Sequence, residues 1–215
     1  MKQVAIFGAS GCGRGVMPLA RQQYANSVEP YRLVFVDDHP PAAELNGHLV
    51  MTYDQWLAQP ASKRLINIAI ANGAVREKLV NRCVADGVDF FQVCAANVIE
   101  MDEVVIGEGA ILSPFVTLTS NIKIGRHFHA NLYSYVEHDC VVGDFVTLAP
   151  NVQCNGNVII EDHVYVGTGA VIKQGTPDRP LVIGRGAVIG MGAVVTKSVP
   201  AGVTVVGNPA KLMKR

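Results

Sequence analysis

The run Val104-Val105-Ile106-Gly107-Glu108-Gly109-Ala110-Ile111-Leu112-Ser113-Pro114-Phe115-Val116-Thr117-Leu118-Thr119-Ser120-Asn121-Ile122-Lys123-Ile124 decides the fold. Small or apolar residues return every sixth position and continue without a break through Phe128, Ser134, Cys140, Val146, Val152, Val158, Val164 and Ala170. A second series runs two residues later, from Ile106 through Leu112, Leu118, Ile124, Ala130, Val136, Val142, Leu148, Cys154, Ile160 and Val166 to Ile172. A period of six is neither the helical 3.6 nor an ordinary antiparallel strand pattern. It is the mark of a β-helix, in which a short straight segment and a corner repeat to wrap a prism.

The frame slips once. After Ala170 it resumes at Leu181, Ala187, Ala193, Val199 and Val205, and the added residues include Thr176-Pro177-Asp178-Arg179-Pro180. That is turn chemistry, so a loop is expected to leave one coil. At three hexads per coil the whole series makes about six coils. Gly107, Gly125, Asn131, Gly143, Asn155, Gly167, Gly184 and Gly190 follow the second apolar position. They are expected at tight corners that need positive φ or close backbone approach.

Composition narrows the function classes. The 215 residues carry 18 Lys and Arg against 18 Asp and Glu, so no clustered basic excess marks a nucleic-acid footprint. The short basic tail Lys211, Lys214, Arg215 reads as a solvated end. No apolar run reaches the length of a membrane span, and Met1–Gly8 reads as a strand and turn rather than a signal peptide. Cys12, Cys83, Cys94, Cys140 and Cys154 show no C-x-x-C spacing, which fits a reduced, cytoplasmic setting. Cys140 and Cys154 fall on inward positions of the hexads.

The pattern before residue 97 differs. Strands are expected at Val4–Gly8, Leu33–Asp38, Leu65–Ala71 and Phe90–Cys94, with helices over Arg14–Tyr24 and Ala74–Asp86, the latter on the spacing Val75, Leu79, Arg82, Cys83. Alternating strands and helices imply right-handed crossovers and a parallel sheet. An α/β Rossmann-like domain over 1–96 is therefore expected ahead of a β-helix over 97–215. The first turn, Gly8-Ala9-Ser10-Gly11-Cys12-Gly13, precedes a helix and suits a phosphate at its N-terminus. It is not G-x-G-x-x-G, because Ser10 holds the second glycine position. Asp37 and Asp38 end the second strand, where an acid commonly accepts hydrogen bonds from a ribose.

Among six histidines, His138 stands out. Val136 and Cys140 face inward, so His138 projects outward between Glu137 and Asp139, either of which can fix its tautomer and raise its basicity. A positioned imidazole suits a general base near neutral pH. Metal is not expected within one chain. Residues stack one coil apart at a separation of about eighteen, and only His127 and His163 are in register, two coils apart.

The hexads, Glu137-His138-Asp139, the ending Val199-Pro200-Ala201-Gly202-Val203-Thr204-Val205-Val206-Gly207-Asn208-Pro209-Ala210-Lys211 and the N-terminal turn with Asp37-Asp38 resemble the hexapeptide-repeat sugar acetyltransferases of the PglD/NeuD group. The resemblance implies a homotrimer of left-handed parallel β-helices with active sites between neighbouring subunits, acetyl-CoA as co-substrate in the groove between two prisms, and a nucleotide-linked amino sugar held by the N-terminal domain. It implies catalytic roles for His138 as base, Asp139 as its orienting partner and Gly156 as an N–H donor near the acetyl carbonyl. It places Gly8, Ser10, Gly11, Cys12, Gly13, Asp37, Asp38, Asn72, Gly73 and Asn131 against the sugar nucleotide, and Thr147, Gly156, Thr168 and Gly190 against the cofactor. Two departures stand out: Cys12 and Thr147 occupy positions where relatives carry histidine.

The expected chemistry is direct N-acetylation of a 4-amino sugar in a ternary complex, with no acyl-enzyme. O-acetylation of sialic acid is the alternative acceptor reading. A metal-dependent lyase or hydratase, a nucleotide-dependent oxidoreductase and a non-catalytic scaffold remain as other classes at this stage.

Overall fold

The computed structural model describes residues 1–213; Lys214 and Arg215 of the basic tail lie outside the described residues. The N-terminal layer comprises β1 (Lys2–Phe7), α1 (Gly11–Tyr24), β2 (Tyr31–Val36), β3 (Glu44–Leu45), β4 (His48–Met51), α2 (Tyr53–Leu57), β5 (Arg64–Ile68), α3 (Gly73–Ala85) and β6 (Asp89–Phe90). The sheet order is β3-β4-β2-β1-β5-β6, parallel except for the β3–β4 pair. Central β1 has Val4, Ala5 and Ile6 fully buried, as a strand covered on both faces requires.

Four details differ from the sequence reading. Helix α1 begins three residues earlier, at Gly11, because Ser10 takes the N-cap position. β4 and α2 were not expected, although the Thr52–Gln55 capping box that starts α2 is a readable signal. The buried face of α3 carries Arg76, Val80 and Cys83, while Val75 and Arg82 face outward. The expected strand Phe90–Cys94 is divided: Asp89–Phe90 joins the N-terminal sheet, whereas Val93–Cys94 pairs with Ile111–Leu112. The β-helix thus takes up its first strand ahead of residue 97. Gln23 of α1 fixes this crossing by donating to Gln92 O at 3.0 Å and accepting from Cys94 N at 3.2 Å.

The rest is a left-handed β-helix with three parallel faces. The first runs from Val93–Cys94 through Ile111–Leu112, His129–Ala130, Thr147–Leu148, Tyr165–Val166 and Val188–Ile189 to Thr204–Val206, closed by antiparallel Lys211–Leu212. The second carries six strands, from Ile99–Glu100 to Val194–Val195, and the third five, from Val104–Ile106 to Leu181–Ile183. Leu112 pairs with Ala130, Ala130 with Leu148 and Leu148 with Val166, a step of eighteen residues. Val166 then pairs with Ile189, five residues further, which is the extruded loop. Both apolar series point inward and are buried from Ala110 onward. Ser134, the polar member, donates to Ala149 O at 2.9 Å and accepts from Val152 N at 3.1 Å, so its burial leaves no orphan.

The corners correct one expectation. Positive φ falls one residue before members of the first inward series, at Phe115 (65°), His127 (53°), Tyr133 (60°), Asp139 (58°), Phe145 (58°) and His163 (61°), not at the glycines after the second apolar position. Those glycines serve close approach instead: a Cβ on Gly107 would stand 2.6 Å from Arg126 N in the next coil. Stacked coils hold these side chains in the left-handed region that bulky residues otherwise avoid.

The N-terminal layer rests on the first face. Ile111, His129 and Thr147, which point out of that face, are buried beneath it. Asn67 of β5 donates to Phe91 O, Gly109 O and Ala110 O at 2.8, 3.2 and 3.3 Å. Arg76 is 0% exposed and donates to Ile70 O (2.6 Å), Ala71 O (3.2 Å), Val146 O (3.2 Å) and Thr147 Oγ1 (3.2 Å), with His129 Nδ1 at 3.4 Å. Among the described residues no carboxylate pairs with it; carbonyl dipoles from both domains carry that burden. Burial pushes its pKa down to about 10, which leaves it charged at neutral pH.

Candidate functional site

Three places collect the residues singled out by sequence. The first is the corner between the second and third faces. Positive φ at Asp139 swings its carboxylate back beside its neighbour, and His138 Nδ1 lies 2.8 Å from Asp139 Oδ2. Nδ1–H donates to that oxygen, leaving Nε2 as the basic nitrogen of an imidazole that is 51% exposed. This hydrogen bond, aided by the charges of Asp139 and Glu137, raises the His138 pKa above its ordinary value. Gly156 stands one coil above: a Cβ there would be 2.6 Å from both Cε1 and Nε2 of His138. The backbone can approach the ring only because the residue is glycine. The Gly156 carbonyl accepts from Gly175 N at 3.0 Å, while its N–H makes no hydrogen bond among the described residues.

The second place is a cleft of about 460 Å³ where α3 meets the first face. It joins Asn72, Gly73 and Thr147 with His163, Tyr165 and Val188. Asn72 caps α3, accepting from Val75 N at 3.0 Å, so a helix N-terminus opens at the rim. Gly73 is held tightly; a Cβ there would meet Phe145 O at 2.7 Å. The Thr147 hydroxyl donates to Ala71 O at 2.9 Å and accepts from Arg76, so it is committed to the seam. His163 stacks on Phe145, which stacks on His127, each pair 5.3 Å between centroids. The in-register pair noticed in the sequence is thus separated by an aromatic ring.

The third is a hollow of about 320 Å³ beside the glycine turn, lined by Ala9, Ser10, Arg14, Asp37, His39 and Leu45 among others. Gly8 has φ 111°, and a Cβ on Gly13 would run into the Gly8 carbonyl, so α1 springs directly from the turn. The Ser10 hydroxyl makes no cap bond. Asp37 accepts from Ala9 N (2.9 Å) and His39 N (3.0 Å), which brings it to the turn. Asp38 turns away: it accepts from Tyr53 N at 3.3 Å and pairs with Arg82 at 2.8 Å. Cys12, in the first turn of α1, has its thiol pKa raised by burial, against the pull of Arg76, and so stays protonated at neutral pH.

Asn131, Thr168 and Gly190 lie elsewhere, on the corner between the first and second faces. The Asn131 amide donates to Leu148 O at 2.7 Å, as Asn155 does to Ile172 O at 2.8 Å. Thr168 is exposed, and Gly190 packs against Val206. Within one protomer His138 and the cleft sit at opposite ends of the third face, the stretch from His138 to Phe145, roughly 20 Å at strand rise. Arg76, Tyr165 and Val188 were not singled out by sequence, and His163 only for its register with His127. The 36-residue register of His127 and His163 was the one available pointer to that corner.

Comparisons with known proteins agree with this architecture. Residues 3–83 match the PglD N-terminal domain family. The chain is 51% identical over 216 residues to a GDP-perosamine N-acetyltransferase of Escherichia coli O157:H7, covering 100% of this chain and 98% of that protein. Its structure superposes on WeeI from Acinetobacter baumannii AYE with TM-score 0.96 at 57% identity, covering 99% and 100% of the two chains. The acetyltransferase domain of PglB from Neisseria gonorrhoeae FA1090, solved with acetyl coenzyme A, matches with TM-score 0.86 at 26% identity over 98% of each chain. With a glycine-turn domain seated on a hexapeptide prism and a relative this similar over its full length, the chain belongs to the hexapeptide-repeat sugar acetyltransferases of the PglD/NeuD group.

Proposed function

We propose that this protein transfers the acetyl group of acetyl-CoA to the 4-amino group of a nucleotide-linked amino-deoxy sugar, and that GDP-perosamine is the acceptor. The observation that carries the reading is the His138 corner: a tautomer fixed by Asp139, with Nε2 facing the Gly156 backbone. The relative named for GDP-perosamine N-acetylation, 51% identical over the whole chain, supports the choice of acceptor over sialic acid.

The amine nitrogen attacks the thioester carbonyl, and His138 Nε2 takes an amine proton. The free Gly156 N–H donates to the oxyanion. The tetrahedral intermediate collapses, the C–S bond breaks, and the imidazolium returns its proton to the CoA thiolate. A positioned base contributes roughly 10²–10⁴-fold and an oxyanion donor roughly 10²–10³-fold. The protonated Cys12 thiol offers no competing nucleophile.

A lone protomer leaves the base and the cleft on different edges. The reading therefore includes a homotrimer in which His138 of one copy faces the Asn72–Thr147 cleft of the next, with Thr168 and Gly190 along the groove between prisms. The glycine turn and Asp37 hold the sugar nucleotide. The unpaired cysteines and both nucleotide substrates fit work in the cytoplasm on a glycan precursor.

The test is to incubate the purified protein with acetyl-CoA and, separately, GDP-perosamine, UDP-linked 4-amino sugars and free sialic acid, following CoA release and product mass. A gain of one acetyl group on GDP-perosamine alone is expected. Transfer to sialic acid in its place contradicts the assignment.

A further inference from the structure

The inward cysteines Cys140 and Cys154 have no part in the chemistry described so far, yet both thiols reach one peptide. Cys140 Sγ donates to Asn155 O at 3.4 Å, and Cys154 Sγ to the same oxygen at 3.7 Å. Both side chains are buried inside the prism. The thiols also hydrogen-bond each other, which lowers Cys140 and raises Cys154. With Cys154 held well above its ordinary value, the pair keeps a donor for the carbonyl at neutral pH.

Register sets the aim. A donor in the first inward series reaches 15 residues ahead: Ser134 donates to Ala149 O at 2.9 Å as Cys140 does to Asn155 O. The other members of that series, from Val104 to Ala170, are apolar, and Ile122 has nothing to offer Glu137 O in the coil of His138 itself. The peptide served by Ser134 ends in Pro150, which has no N–H; the one served by Cys140 ends in Gly156, which has one. The Asn155–Gly156 peptide is trans, so its C=O and N–H point opposite ways. With the carbonyl turned in to the thiols, the N–H is turned out at the corner that carries His138. Asn155 is gripped from outside as well, donating through its amide to Ile172 O at 2.8 Å and accepting from the Tyr135 hydroxyl at 3.1 Å.

We propose that Cys140 and Cys154 are positioning residues for the transfer: from inside the prism they hold the Asn155–Gly156 peptide so that its N–H meets the oxyanion, an assignment that rests on acetyl transfer at the His138 corner. A donor to the carbonyl also polarises the peptide, which strengthens the N–H at its other end. An amide fixed before substrate arrives needs no reorganisation as negative charge develops. The contact is strongest in the transition state, so its weakening falls on kcat rather than on KM.

Cys140→Ala and Cys140→Ser differ by one hydroxyl, and Ser134 shows that a hydroxyl fits this kind of position. Cys140→Ala is expected to lower kcat about tenfold, with KM for acetyl-CoA and calorimetric CoA affinity equal to the parent's, and Cys140→Ser to recover kcat to within about twofold. Cys140→Val, the commonest residue of the series, stands in for alanine if the smaller side chain unfolds the coil. Cys154→Ala and Cys154→Ser repeat the comparison at the longer contact, with a smaller loss. Infrared difference spectra of carbonyl-labelled acetyl-CoA, bound without sugar, read the N–H itself: the acetyl C=O stretch should lie higher on Cys140→Ala than on the parent or on Cys140→Ser. Parent-like kcat in Cys140→Ala, a serine variant as slow as the alanine one, or an unmoved stretch overturns the assignment. If the parent transfers acetyl and these variants match it, only the role of the cysteines falls. If the parent neither binds acetyl-CoA nor transfers its acetyl group, the acetyl-transfer reading falls and takes this one with it.

Discussion

Two corners of the same prism carry histidine to opposite ends. At the corner between the second and third faces, His138 is half-exposed, tied to Asp139 and raised in pKa. At the corner between the third and first faces, His127 is fully buried, stacked on Phe145, with Phe90 edge-on at 4.7 Å, and neither ring nitrogen has a partner among the described residues. Burial, with the charges of Arg76 and Arg126 and against that of Asp144, pushes its pKa down to about 4. Both corners impose positive φ, on Asp139 and on His127 itself. Residue type is shared but corner position is not: His127 itself takes the positive φ, whereas His138 stands one residue before it, and the surroundings then separate an exposed imidazole from a buried structural ring. An adjacent acid and open solvent make one basic; the docked domain makes the other inert.

The comparison breaks most sharply at His138. His138→Ala is expected to cut turnover by roughly 10²–10⁴-fold while leaving CoA affinity near that of the parent, measured by steady-state kinetics beside calorimetry. An equal loss from His127→Phe would erase the distinction between the corners.

His127 governs stability instead. Its folded pKa of about 4 lies below the unfolded value near 6.5, so the unfolded state binds more protons between those pH values. Its contribution is present above pH 6.5 and is lost as pH falls towards 4, by up to about 3 kcal/mol. His127→Phe keeps the stack and removes the titrating group. Urea melts of this variant should lose less stability between pH 6.5 and 4 than melts of the parent; parallel losses would show that the ring does not control the seam.

Asp139→Asn sharpens the other side. The raised His138 pKa places the acid limb of the kcat profile above the ordinary imidazole value, because only neutral His138 accepts a proton. Loss of the carboxylate should move that limb to lower pH and reduce the plateau by about tenfold. An unmoved limb would mean that Asp139 does not tune the base.

Sequence legibility divides along the same line. The prism was readable because each coil repeats one burial rule, and inward positions from Ala110 to Val205 obey it. The outward place of His138 was readable from hexad register; its role and that of Asp139 came as much from the family resemblance. The seam was not. Arg76 looks like a solvated helix residue, yet carbonyls from two domains draw it fully inside, which also turned the buried face of α3 away from the expected Val75 and Arg82. Thr147 looked available for cofactor, but its hydroxyl is spent on Ala71 and on that same arginine. Periodicity reports apolar burial; it carries no signal for polar groups buried by partners distant in sequence. Asp37 and Asp38 read alike, and only the turn at Ala9 and the approach of Arg82 tell them apart.

The central claim, that each site takes His138 from one copy and its cleft from the next, is tested by mixing subunits. Ala74 lies exposed at the cleft wall, so Ala74→Trp fills the cleft of its own copy, and His138→Ala removes the base from the other. Each variant alone should be nearly inactive. Co-refolded in equal amounts, they should regain roughly a quarter of the parent activity, the share of sites that random assembly builds from one intact cleft and one intact base. Mixtures as inactive as the separate variants, despite confirmed subunit exchange, would contradict the shared site.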